Sequence, residues 1–67
     1  MKIVLNNKEE IIEGNLLTIS ELLQIKKYTF KMLVIKVNGI LVKKNEYEKA
    51  TVKDGDDVMV LHLISGG

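Results

Sequence analysis

The sequence predicts an α+β fold, with one main helix packed on one face of a mixed sheet of about five strands. Three observations carry that expectation. Strand-like apolar alternation opens the chain at Ile3 and Leu5, returns at Leu33, Ile35 and Val37, and gives way to an aliphatic run over Val58 to Leu63. A single helix-start signal, Thr18-Ile19-Ser20-Glu21, stands between the first of these and the second. The 67 residues contain no cysteine and no proline, so one domain has to hold itself together on its 24 Val, Ile and Leu side chains, without disulfides.

Each element has its own reason. Lys2 to Leu5 forms an opening strand, and Asn6-Asn7 tolerates the left-handed backbone that a tight hairpin needs, so Glu9 to Glu13 is expected to run back beside it. Gly14-Asn15 ends that hairpin. Thr18 caps a helix over residues 19 to 27, with Glu21 completing a capping box and Leu17 and Leu22 forming the hydrophobic staple. Ile19, Leu22 and Leu23 share one helix face, while Lys26 and Lys27 complement the dipole at the far end. Tyr28 to Met32 connects, with Phe30 turned inward, to a third strand at Leu33 to Val37. Asn38-Gly39 is a strong hairpin signal, returning Ile40 to Val42 as a fourth strand. Lys43 to Thr51 is polar apart from Tyr47 and reads as a loop or single helical turn. Lys53 to Asp56 is a tight turn, and Val58 to Leu63 is the last strand. That strand is apolar on both faces except at His62, as expected of a central strand. Strand, strand, helix, strand, strand, strand suits a β-grasp, in which the first and last strands lie parallel in the middle of the sheet.

Composition excludes several classes of chemistry. One histidine and no cysteine leave no imidazole- or thiolate-based metal site and no nucleophile–histidine pair within the chain. Ten lysines against nine acids, without one arginine, argue against a nucleic-acid groove. Apolar runs are far shorter than the roughly 20 residues of a membrane-spanning helix, and no secretory signal opens the chain, so no membrane association and a cytoplasmic location are expected. Asp54, Asp56 and Asp57 surround a turn glycine without the oxygen-ligand spacing of a calcium loop. Gly14, Gly39 and Gly55 lack phosphate-loop spacing. The chain is thus expected to be no enzyme and to bind no cofactor or metal of its own.

The C-terminus offers different chemistry. The last strand runs straight into Ile64-Ser65-Gly66-Gly67, so the expected division is a domain over residues 1–63 and a flexible tail over 64–67. A terminal carboxylate is ionised at neutral pH. It can attack the α-phosphate of ATP, and it becomes an acyl donor only once adenylated. Glycine carries no Cβ, so a Gly-Gly end can thread a narrow channel, and four extended residues reach roughly 13 Å.

With that ending in place, the chain resembles the ThiS family, the ubiquitin-like sulfur carriers of thiamine biosynthesis, over its full length. Met1-Lys2-Ile3 through Asn6, Thr18-Ile19-Ser20-Glu21-Leu22-Leu23, Val37-Asn38-Gly39 with Val42, Lys53-Asp54-Gly55-Asp56-Asp57-Val58 and the closing Gly66-Gly67 carry the resemblance. Lys43 and Tyr47 stand where the family often has proline and sometimes tryptophan. The resemblance implies that an E1-like adenylating enzyme of the ThiF type uses ATP to activate the carboxylate of Gly67. A sulfur donor protein then makes the thiocarboxylate, and a thiazole synthase of the ThiG type takes the sulfur. Gly66, with Ile64 and Ser65, gives the tail its passage. Two neighbouring readings use the same activated tail: the small subunit of molybdopterin synthase and a ubiquitin-like protein modifier. An interaction module with an idle tail is a third.

Pattern and resemblance together place Ile3, Leu5, Leu17, Ile19, Leu22, Leu23, Ile35, Val37, Val58 and Val60 in one core. The resemblance sets Val58 and Val60 beneath the helix. Met59, Leu61 and Leu63 then face outward near Val34, as a partner-binding face that leads into the tail.

Overall fold

The computed structural model describes residues 1–28 and 32–62. β1 (Lys2–Leu5) turns through Asn6 and Asn7, whose φ values of 51° and 68° are both left-handed, into β2 (Lys8–Ile11). Because the turn has only two residues, Leu5 lies opposite Lys8. The returning strand therefore begins one residue before the expected Glu9 and ends at Ile11 rather than Glu13. β3 (Leu16–Thr18) leads into α1 (Ile19–Ile25), then come β4 (Leu33–Val37), β5 (Ile40–Val42), a 3₁₀ turn at Lys44–Glu46, β6 (Thr51–Lys53) and β7 (Asp57–His62).

The main sheet has five strands in the order β2-β1-β7-β4-β5. β1 and β7 are parallel at its centre, and every other pair is antiparallel. This is the β-grasp arrangement. A second, two-stranded sheet pairs β3 with β6, Leu17 opposite Val52. Sequence reasoning treated Thr51 and its surroundings as loop and turn, and three-residue strands are too short to show an alternation. Of the loop it placed between Lys43 and Thr51, the single helical turn is present at Lys44–Glu46.

Helix α1 starts as its capping box dictates. The Thr18 hydroxyl accepts the Glu21 N–H at 3.1 Å, and the Glu21 carboxylate accepts the Thr18 N–H at 2.9 Å. It ends two residues earlier than expected. Lys27 takes a left-handed φ of 57°, its N–H donates to the Gln24 carbonyl and the Tyr28 N–H donates to Leu23, which closes a Schellman motif. The lysines therefore lie past the last turn instead of within it. Lys26 reaches across to Glu10 on β2 at 2.6 Å, which holds the helix end against the sheet and raises the pKa of the ammonium through that hydrogen bond.

Between helix and sheet lies the core: Ile3, Leu5, Ile12, Leu17, Ile19, Leu22, Ile35, Val42, Val52, Val58 and Val60. Leu23 and Val37, expected in the core, pack against it while half-buried. Ile12, Val42 and Val52 join it unforeseen, Val52 because β6 closes the domain beside β3. Phe30 lies outside the described residues.

Candidate functional site

The strand that ends nearest the Gly-Gly sequence sits at the centre of the sheet. Its two faces have different neighbours. Val58 and Val60 point into the core, and Met59 and Leu61 alternate to the opposite face. Antiparallel pairing sets Leu61 opposite Val34 and Met59 opposite Lys36. Directly opposed side chains on one face lie within contact range, so Val34, Leu61 and Met59 form one apolar surface. Leu61 is 48% exposed and Val34 and Met59 are half-buried.

Register also brings residues to this face that sequence reasoning did not assign. On β5 Leu41 lies opposite Lys36 and is 53% exposed, so it extends the apolar surface past the lysine. On β1 Val4 pairs with Asp57. A shallow depression of about 320 Å³ is lined by Lys36, Gly39, Asp57, Met59 and Leu61. Its lining combines the apolar Met59 and Leu61 with one cation, Lys36, and one anion, Asp57. The Asn38-Gly39 hairpin sets the β4–β5 register that places Leu41 opposite Lys36, whereas the pairings of β7 with β4 and with β1 join segments far apart in the chain and have no local signal.

Two asparagines fasten β7 from either side. At its start the Asn38 side chain accepts the Asp57 N–H at 2.9 Å and donates to Asp56 at 3.1 Å. Asp56 is 7% exposed, and its second oxygen accepts the Lys53 N–H. Asp54 accepts the Lys2 N–H at 2.7 Å. These carboxylates are thus engaged in holding turns against the sheet. Further along β7, the Asn6 side-chain oxygen accepts the Val60 N–H at 2.7 Å. His62 lies opposite Leu33 and is exposed.

Leu63, Ile64, Ser65, Gly66 and Gly67, the remaining residues of the expected site, lie outside the described residues. Among those described, no helix is long and apolar enough to cross a membrane.

The family model described as the ThiS family matches residues 2–67. No curated relative matches. A crystal structure of thiamine biosynthesis protein ThiS from Geobacter metallireducens superposes with a TM-score of 0.88 at 30% identity, and the match covers 100% of both chains. A solution NMR structure of a thiamine biosynthesis protein from the same organism gives a TM-score of 0.80 at 30% identity, over 100% of this chain and 88% of that one. A match of this extent, on a sheet with parallel central strands and one capped helix, means that the chain belongs to the ThiS family, the ubiquitin-like sulfur carriers of thiamine biosynthesis.

Proposed function

We propose that the chain carries sulfur on Gly67. The family match, which runs through Gly66-Gly67 to the last residue, is the observation that supports this most directly. In the proposed cycle the Gly67 carboxylate attacks the α-phosphorus of ATP held by an E1-like enzyme, and pyrophosphate leaves. The outer sulfur of a donor-protein persulfide adds to the acyl carbon and AMP departs as the C–O bond breaks; a thiol reductant then cleaves the S–S bond of the resulting acyl persulfide, forming a disulfide with the donor thiol and leaving the thiocarboxylate. Thiazole synthase is the acceptor of that sulfur. ATP belongs to the activating enzyme, and the carrier acts as co-substrate.

The outer face of β4 and β7 is the docking surface in this reading. Val34, Met59 and Leu61, with Leu63 beyond them, hold the domain while Ile64, Ser65 and Gly66 lead Gly67 into the pocket. Contiguous exposed aliphatic residues with a charged rim are typical of partner sites.

The test is ATP–pyrophosphate exchange with the activating enzyme, followed by mass spectrometry of the terminal residue. Removing Gly67, or adding a residue after it, abolishes exchange while the fold persists. Gly66→Val slows exchange, because a β-branched side chain stiffens and widens the tail. Replacement of oxygen by sulfur at Gly67 identifies a sulfur carrier, and a stable bond to a protein lysine identifies a modifier. Sulfur delivery to a molybdopterin precursor, with none to thiazole synthase, selects the molybdenum-cofactor branch. Normal exchange by an untrimmed, extended chain refutes activation of the tail altogether.

A further inference from the structure

β2 is an edge strand of the main sheet, with β1 on one side and no strand on the other. Its two-residue turn makes Leu5 and Lys8 the first hydrogen-bonded pair, and bonded pairs then alternate through Ile3 and Glu10 to Met1 and Ile12. The Ile12 N–H keeps that phase by donating to the Met1 carbonyl at 2.8 Å. Lys2 and Val4, in the intervening pairs, turn their backbone groups away from β2, toward Gly55 and Asp56. By the same alternation Glu9 and Ile11 direct their N–H and C=O groups off the open edge. Beside that edge lies a concavity of about 400 Å³. Glu10, Ile11, Ile12 and Glu13 line one side of it, and Ile25 and Lys26, at the end of α1, line the other. Ile11 is 76% exposed and Ile25 52%.

We propose that this edge binds an extended segment of a partner protein, which adds to β2 as a strand and carries an aliphatic side chain and, toward Glu13, a lysine or arginine. Glu9 and Ile11 supply the backbone ladder, and the groove between edge strand and helix end supplies the pocket. Glu10 lies on the helix side of the sheet, since it pairs with the buried Ile3 and accepts a bond from Lys26. A residue placed opposite Glu10 therefore points toward Ile25, which calls for an aliphatic side chain. The charges set the rest. Glu9 and Glu10 are paired with Lys2 and Lys26, whereas Glu13 has no counter-ion among the described residues. Lys8 stands at the opposite end of β2, so the cation belongs at the Glu13 end. A second copy does not fit. Each two-fold antiparallel register sets acid directly opposite acid: Glu9 on Glu9, Glu10 on Glu10, or Glu9 on Glu13. The acids that keep copies apart thus favour a basic strand. β1 separates this edge from β7, so the site shares no residue with the face of Val34, Met59 and Leu61 and stands independently of the carrier reading.

The probe is a blocked synthetic peptide, Thr-Lys-Thr-Val-Ile-Thr-Thr, titrated into the full chain and followed by NMR. Saturable shifts are expected at Glu9, Ile11 and Ile25, and the Glu9 and Ile11 amides gain protection from hydrogen exchange. Glutamate in place of the peptide's lysine weakens binding about two- to fivefold at low salt, the range of one exposed ion pair. Ile11→Pro removes an outward N–H without touching the β1 ladder, and weakens binding about five- to tenfold. Glu13→Lys reverses the preference between the two peptides, and Ile25→Ser weakens both. If Ile11→Pro melts early, Glu13→Lys and Ile25→Ser decide. Absence of saturable binding, equal affinity for the two peptides or shifts centred on Val34 and Leu61 overturns the proposal. So does wild-type behaviour of Glu13→Lys and Ile25→Ser. None of these outcomes touches activation of Gly67, which pyrophosphate exchange tests separately.

Discussion

Leu61→Glu tests the outward face by its unequal effects on folding and on binding. Fully burying a leucine is worth about 1.5–3 kcal/mol. Leu61 is 48% exposed, so roughly half of that, about 1–1.5 kcal/mol, is at stake in the isolated domain. Lys36, diagonal to Leu61 across the β4–β7 pair, lies within reach of the introduced carboxylate and offsets part of this cost. At about 4–8 °C per kcal/mol for a domain of this size, the melting midpoint falls by less than about 10 °C. Docking is a different matter. The partner strips water from an anion and from its lysine neighbour, and buried polar groups with imperfect partners cost on the order of 2 kcal/mol or more, about thirtyfold in Kd. Leu22→Ala serves as the internal control. Leu22 is wholly buried on the inner face of the helix, and truncation there costs about 2–5 kcal/mol, against a total of about 3–10 for 67 residues. Thermal melts and calorimetric titration of the activating enzyme measure both quantities. If Leu61→Glu melts like Leu22→Ala while the folded fraction binds normally, the docking assignment of this face is wrong. If it neither unfolds nor weakens binding, docking uses another surface.

Two further outcomes follow from the backbone and the charges. Lys27→Gly is expected to stabilise the domain by about 0.5–1 kcal/mol, because glycine relieves the left-handed φ of 57° at the close of α1 and surrenders some of that gain to the unfolded chain; a lower urea midpoint refutes the Schellman assignment. On the alkaline side, Lys26 is raised above its ordinary 10.5 by its hydrogen bond to Glu10, and Tyr47 is raised above 10.0 by burial. A group whose folded pKa is raised stabilises below its unfolded value and loses that contribution as pH climbs through the folded one, so stability stays flat with respect to these groups until about pH 10 and then declines. Lys26→Met removes the lysine part of the decline, and an unchanged pH profile in that variant refutes its role.

Much of the fold was legible because the signals were local. Thr18 with Glu21, Asn6-Asn7 and Asn38-Gly39 each act within a few residues, and each is found where pattern reasoning put it. The helix end was misjudged for a related reason: Lys26 and Lys27 suit a C-terminus electrostatically, but no glycine announced that Lys27 itself leaves the helix. Val52 and its strand were missed because their partner, Leu16–Thr18, lies 35 residues earlier in the chain (Thr51 less Leu16) and neither segment is long enough to alternate. The pairing of Lys36 with Met59 was missed because β4 and β7 are joined by no hairpin, so no local signal sets their register.

β7 connects these levels. Its sequence, Asp-Val-Met-Val-Leu-His, is apolar on alternate faces because it lies at the sheet centre, and α1 covers only the face that holds Val58 and Val60. A central strand covered on both sides by its own chain would need a second layer, yet the described residues place their one α-helix on a single side. Met59 and Leu61 could have been polar without harm to the core, since neither contributes to it. Aliphatic residues at such positions add nothing to solubility and favour association, so their presence on the strand that leads to Gly67 is best understood through a partner that completes the second layer. In the docking proposed above, the same strand is anchored by the core on one face and offered to the partner on the other. Asn6 and Asn38 hold its edges through their side-chain bonds to the Val60 and Asp57 N–H groups.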